Sequence, residues 1–121
     1  MIITVSYHSR KTAIDPEPAT VRLGEPVEWL FISLENNEET IRWTVYFNDG
    51  SPFPGFYTSF SVETNLSDKV PGPIAGVAHS GRLPALVTVA EGNYKYGVRT
   101  ENPAKQEQLS DDDPYLIVEK S

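Results

Sequence analysis

Thr40-Ile-Arg-Trp-Thr-Val-Tyr-Phe-Asn48 is the stretch that decides the fold. Ile41, Trp43, Val45 and Phe47 share one parity, and Arg42, Thr44, Tyr46 and Asn48 share the other. Successive side chains of a β-strand point to opposite faces, so this stretch reads as a strand with one face in a core. Similar signals occur outward from it, at Ile2 to His8, Pro18 to Leu23, Val27 to Leu34, Phe56 to Val62, Pro84 to Ala90, Asn93 to Arg99 and Tyr115 to Glu119. Clusters of Pro, Gly, Asn and Asp separate them, and no segment sustains a helical apolar period. The expectation is an all-β fold: a single Greek-key β-sandwich of about eight strands, with residues 1–121 forming one domain.

In the strand from Asn93, Tyr94, Tyr96 and Val98 fall on one side and Lys95 and Arg99 on the other. Ala90-Glu91-Gly92-Asn93 predicts a tight hairpin turn between two runs, because Gly and Asn tolerate positive φ. Three stretches break the regular spacing: Asp49 to Gly55, Glu63 to Leu83 with its prolines and glycines, and Asn102 to Pro114. The last has the composition of a helical turn, and Ser110 and Asp113 stand at the spacing of a weakened capping box. Long loops in small domains often carry function.

At 121 residues, with 39% hydrophobic and 22% charged, the composition is that of a globular domain able to bury a real core. No cysteine is present. That removes disulfides, thiol nucleophiles, iron–sulfur clusters and thiolate-bound zinc or copper. Seventeen acidic residues against ten basic give a formal charge of −7, and no Lys/Arg run tracks a phosphate backbone, so no nucleic-acid partner is expected. An acidic surface suits a basic protein partner or simply keeps the domain soluble. The longest apolar run, around Trp29 to Ile32, is far below the ~20 residues of a membrane span. Ile2 to Tyr7 shows neither a basic leader region nor a cleavage site. The expected compartment is cytoplasmic if Met1 is the native start, and periplasmic or secreted if a leader was removed.

Pro18-Ala-Thr-Val-Arg-Leu-Gly24-Glu25-Pro-Val27-Glu-Trp29 resembles the second and third strands of cupredoxins, the plastocyanin- and azurin-type β-sandwiches. Asn36-Asn37 followed by Ile41 to Phe47 resembles the segment that carries the first copper histidine. Gly92-Asn-Tyr94-Lys-Tyr96-Gly-Val98 is similar to the segment that carries the copper thiolate, and Asp113-Pro114-Tyr-Leu-Ile-Val118 to the closing strand. Together these run from near residue 14 to the C-terminus. A blue-copper site needs two histidines and a cysteine thiolate, usually with a weak axial methionine. Here Trp43 stands where the resemblance puts the first histidine, and Val98 where it puts the cysteine. Arg99-Thr-Glu-Asn-Pro-Ala-Lys105 supplies neither the second histidine nor the methionine. The resemblance thus implies a cupredoxin-like sandwich without type 1 copper, in which Trp43, Val98 and nearby aromatics fill the former metal space.

Two histidines remain. His8 and His79 lie in different contexts, a strand end and the long loop; with carboxylates they would make a non-blue metal site if the fold joins them, and two unrelated polar residues if it does not. Ser80 beside His79 lacks a nucleophile elbow. Asp111-Asp112-Asp113 lacks the alternating ligands of an EF-hand and reads as a solvated acidic loop. Asn65-Leu66-Ser67 matches a glycosylation acceptor, a tripeptide common by chance. Ser51-Pro52-Phe53-Pro54-Gly55-Phe56-Tyr57 concentrates aromatics that either plug one end of the sandwich or dock a sugar ring or a protein.

The reading that follows is a non-enzymatic binding or protein-interaction module with no cofactor. Its ligand is an unknown protein or small molecule, and the Asp49 to Tyr57 and Glu63 to Leu83 loops form its contact surface through Phe53, Phe56, Tyr57 and His79. The alternatives are a metal-handling protein using His8 or His79, and an enzyme with a loop-built site.

Overall fold

Strand β1 (Ile2–His8) reverses through Ser9 and Arg10, both at positive φ (50° and 67°), and pairs antiparallel with β2 (Lys11–Asp15) from His8↔Lys11 to Thr4↔Asp15. Two central residues at positive φ are what a type I′ hairpin turn requires. The sequence lacks the usual Asn-Gly signal, so this hairpin was not among the expected strands. The structure is a computed structural model that describes residues 1–33, 38–54, 58–66, 79–83 and 85–120, and for residues 79–82 the backbone alone.

The remaining strands are β3 (Ala19–Arg22), β4 (Pro26–Ser33), β5 (Thr40–Tyr46), β6 (Ser59–Asn65), β7 (His79–Arg82), β8 (Leu86–Val87), β9 (Gly92–Lys95), β10 (Gly97–Asn102), β11 (Glu107–Asp112) and β12 (Tyr115–Glu119). One sheet runs β2-β1-β4-β7, with β8 also on β4; a second runs β11-β10-β5-β6; a third runs β3-β12-β9. Both β1–β4 and β3–β12 are parallel pairs, which a chain of antiparallel hairpins cannot make without crossing between layers.

The alternation read from Thr40 to Asn48 holds. Ile41, Trp43, Val45 and Phe47 are buried and join Ile3, Val5, Val27, Trp29, Phe31, Val98, Leu116 and Val118 in one core. Strand β4 lies between β1 and β7, and its Trp29–Ile32 run is buried on both faces. Around Trp29 the rings of Phe47, Phe53, Phe60 and Tyr96 stand 5.8–6.3 Å away between centroids. Aromatic pairs at such separations add stability beyond the area they bury.

Three expectations need correction. Asn102 to Pro114 holds β11 and a four-residue turn, with no helix. Cross-strand pairing with β10 supplies the backbone partners that local composition cannot reveal. Ala90 to Asn93 does not close a hairpin, because β8 pairs with β4 while β9 pairs with β12. His79 to Arg82, expected within a long loop, forms β7 against β4.

Candidate functional site

Strand β5 is central in its sheet, with β10 on one side and β6 on the other. Val98 lies opposite Val45 and Thr100 opposite Trp43, which makes Trp43 and Val98 diagonal neighbours on one face, roughly 7–8 Å apart by ladder geometry. Both are 0% exposed. Phe31 stacks on Trp43 at 5.4 Å and 19°, and Tyr7 follows Phe31 at 5.8 Å. The buried indole N–H of Trp43 donates to Thr64 Oγ1 at 3.2 Å, which meets the polar requirement of a buried tryptophan. The locus that the resemblance assigns to a thiolate and an imidazole is therefore solid hydrophobic packing.

Beyond Val98 the chain stays in the sheet. Strand β10 continues to Asn102, whose side-chain oxygen accepts the Lys105 N–H at 3.2 Å, and Gln106 turns at a φ of 51°. The chain then returns as β11 in antiparallel register, with one irregularity between Thr100 and Glu101. Thr12, Thr100, Ser110 and Asp112 share side-chain hydrogen bonds that tie β11 to β2. A paired hairpin thus occupies the segment that would carry the remaining ligands.

The other sequence candidates separate. Phe53 is 4% exposed and packs edge-on to Trp29 and Phe47, so it fills the end of the sandwich and offers no ring to a ligand. Phe56 and Tyr57 lie outside the described residues, as do Asn36, Asn37 and Ser67. His8 ends β1 on its exposed phase, and His79 pairs with Ser33 in β7. Strands β1 and β7 flank β4, about two strand spacings or roughly 10 Å apart; the His79 side chain is outside the description. Among the described residues no group of three or more His, Cys, Asp or Glu is placed to hold a metal ion.

What the fold does assemble lies on the outer side, where the chain bends at Tyr96 between β9 and β10. Tyr46 faces Gly97 across the ladder, and a Cβ at Gly97 would stand 2.0 Å from Tyr46 Cζ. The Tyr46 O–H donates to Asp111 Oδ1 at 2.6 Å, and the Arg99 guanidinium carbon stands 5.1 Å from the ring centroid. Lys95 Nζ pairs with Asp113 Oδ2 at 3.3 Å. With Asn48 and Asp49, the residues Tyr46, Lys95, Gly97, Asp111 and Asp113 line a cleft of about 470 Å³, inside the range of roughly 300–1,000 Å³ typical of small-molecule sites. A second cleft of about 280 Å³, lined by Thr12, Ile14, Glu17, Asp112 and Pro114, shares Asp113 with it.

The electrostatics follow from these contacts. The hydrogen bond to Asp111, partial burial and the Asp111 charge raise the Tyr46 phenol from 10.0 to about 12, against the pull of Arg99. The Asp113 hydrogen bond and charge raise the Lys95 ammonium above its ordinary value and keep it charged. Beneath the bend, Trp29 Nε1 and Tyr96 Oη are buried without a hydrogen-bond partner. Burial raises the Tyr96 phenol; the Trp29 indole facing it opposes that shift, short of hydrogen-bond geometry.

Sequence reasoning placed Tyr46, Lys95 and Arg99 on outward strand phases but gave them no joint role, since nothing in one strand says which residue of another lies beside it. The available signal was Gly97, a glycine inside a strand pattern, which marks close approach of another group.

No family model matches this sequence, and no curated protein matches it. Solved structures do. Auracyanin B is 14% identical, with 97% of this chain and 87% of that one covered, at a TM-score of 0.50. Auracyanin A, a "blue" copper protein from the green thermophilic photosynthetic bacterium Chloroflexus aurantiacus, is 15% identical over 98% of each chain, at 0.49. A Cu(I) amicyanin variant is 17% identical over 98% of this chain and 82% of that one, at 0.44. At these identities the likeness is one of fold. The chain has the cupredoxin-like β-sandwich, and no helix among the described residues is long and apolar enough to cross a membrane.

Proposed function

We propose that this cupredoxin-fold chain is a non-enzymatic binding module without type 1 copper, and that its contact surface is the cleft between Tyr46 and Asp113. The observation that carries this reading is the pairing of a filled interior with an open, polar exterior. Trp43 and Val98 are completely buried at the positions matched to the family's ligands, while the cleft outside them is lined by carboxylates, an amide and an ammonium. Fold analogy alone assigns no ligand.

Affinity capture from an extract tests the reading, with the wild-type chain and an Asp111→Lys/Asp113→Lys variant compared at low and high salt. Retention of a specific ligand by the wild type and its loss in the variant is the expected result. Equal retention by both would remove the cleft as the contact surface. A ligand lost at high salt would identify charge as the main attraction.

A further inference from the structure

Resting on the reading of the cleft as a binding surface, we propose that its ligand is a neutral saccharide, stacked on Tyr115 and hydrogen-bonded along the cleft floor. Tyr115 lies opposite Lys95 in the β12–β9 ladder and remains 45% exposed. Directly paired residues share a face of a sheet, so an accessible aromatic ring stands beside the Lys95–Asp113 pair that walls the cleft.

The lining repels an anion and offers a cation few unengaged carboxylates. An anion entering the cleft meets Asp49, Asp111 and Asp113. A cation competes with groups already in place, because Lys95 holds Asp113 at 3.3 Å and the Tyr46 O–H holds Asp111 at 2.6 Å. Those contacts leave spare capacity of both kinds: each carboxylate accepts several hydrogen bonds, the ammonium donates three, and the Asn48 amide does both. Sugar hydroxyls donate and accept at once, and a pyranose also presents an apolar C–H face. That combination matches a polar cleft flanked by one amphipathic ring. The Tyr46–Asp111 hydrogen bond also holds two of the lining side chains before any ligand arrives, which lowers the entropy lost on binding.

The test is a glycan array probed with the full chain, followed by amide-shift NMR titration of the neutral glycans that bind. A Tyr115→Ala variant and an oligo-lysine peptide are titrated in parallel. Expected are shifts confined to residues 46–49, 95–97 and 111–115, little dependence on salt, and affinity at least about tenfold weaker in Tyr115→Ala with the rest of its amide spectrum unchanged. No bound neutral glycan, shifts elsewhere, or undiminished affinity in Tyr115→Ala would each overturn the proposal. If oligo-lysine moves the cleft amides and no glycan does, the saccharide assignment fails and the binding-module reading stands. If neither the peptide nor any glycan moves them and capture is cleft-independent, both fail.

Discussion

Tyr46 sits directly across from Gly97 in the β5–β10 ladder, and its ring occupies the space that a side chain at position 97 would need. The contact orients the phenol toward Asp111 and brings the ring under Arg99. One backbone hydrogen in place of a side chain thus shapes the outer face of the sheet and the floor of the cleft.

Gly97→Ala is expected to destabilise the fold by ~1–3 kcal/mol, the range for overpacking a well-filled site. In a Tyr46→Ala background the same change should be nearly neutral or slightly stabilising, since the obstructing ring is gone and alanine narrows the unfolded ensemble. Urea melts of the four chains measure the coupling. Equal losses in both backgrounds would show that the ring and the glycine do not oppose one another.

The Tyr46 phenol should ionise near 12. Its folded value is raised above the unfolded one, so the stabilisation it brings is complete below about pH 10 and is lost as pH rises through about 12. Asp111→Asn should bring the ionisation back toward 10, because the largest cause of the shift is that hydrogen bond. Tyrosine carbon chemical shifts followed across alkaline pH resolve the residue; an unchanged value in Asp111→Asn counts against the assignment.

Trp43→Ala should cost ~3–5 kcal/mol, as truncation of core aromatics does. Thr64→Val should cost about 1–3 kcal/mol by leaving the indole N–H of Trp43 buried and unpaired, and much less in a Trp43→Phe background. Denaturant midpoints read both. Loss of under about 1 kcal/mol in Trp43→Ala would place that side chain outside the core.

Restoring the two matched ligand types together, as Trp43→His with Val98→Cys, is expected to produce a destabilised chain with no intense blue absorbance on adding copper(II). No His, Cys or Met occurs between Arg99 and Ser121, and that segment is committed to the β10–β11 hairpin and β12. Visible absorption spectra decide the matter, and a strong blue band would show that the hairpin yields to the metal.

Much of the frame was legible because burial on one face writes a period of two into the sequence. Ile41, Trp43, Val45 and Phe47 declared their common face before any partner strand was known. The same logic was blind to the β1–β2 hairpin, whose Ser9-Arg10 turn takes positive φ without Gly or Asn. It was also blind to β11, where Glu107 to Asp112 has Leu109 as its single apolar residue and so shows no alternation; its strand character comes from pairing with β10. For Phe53, the sequence showed a large apolar residue in a loop, which reads as a plug or a docking residue and was assigned to the contact surface; tight ring contacts with Trp29, Phe47 and Phe60 put it in the core instead.

By itself the sequence determined the all-β class and the missing thiolate chemistry, because side-chain parity and the absence of cysteine are properties of the linear text. Only the tertiary structure decided that Tyr46, Lys95, Asp111 and Asp113 line one cleft. Those residues belong to three separate stretches of chain, and long-range strand pairing, with a change of sheet at Tyr96 that no local pattern encodes, brings them together.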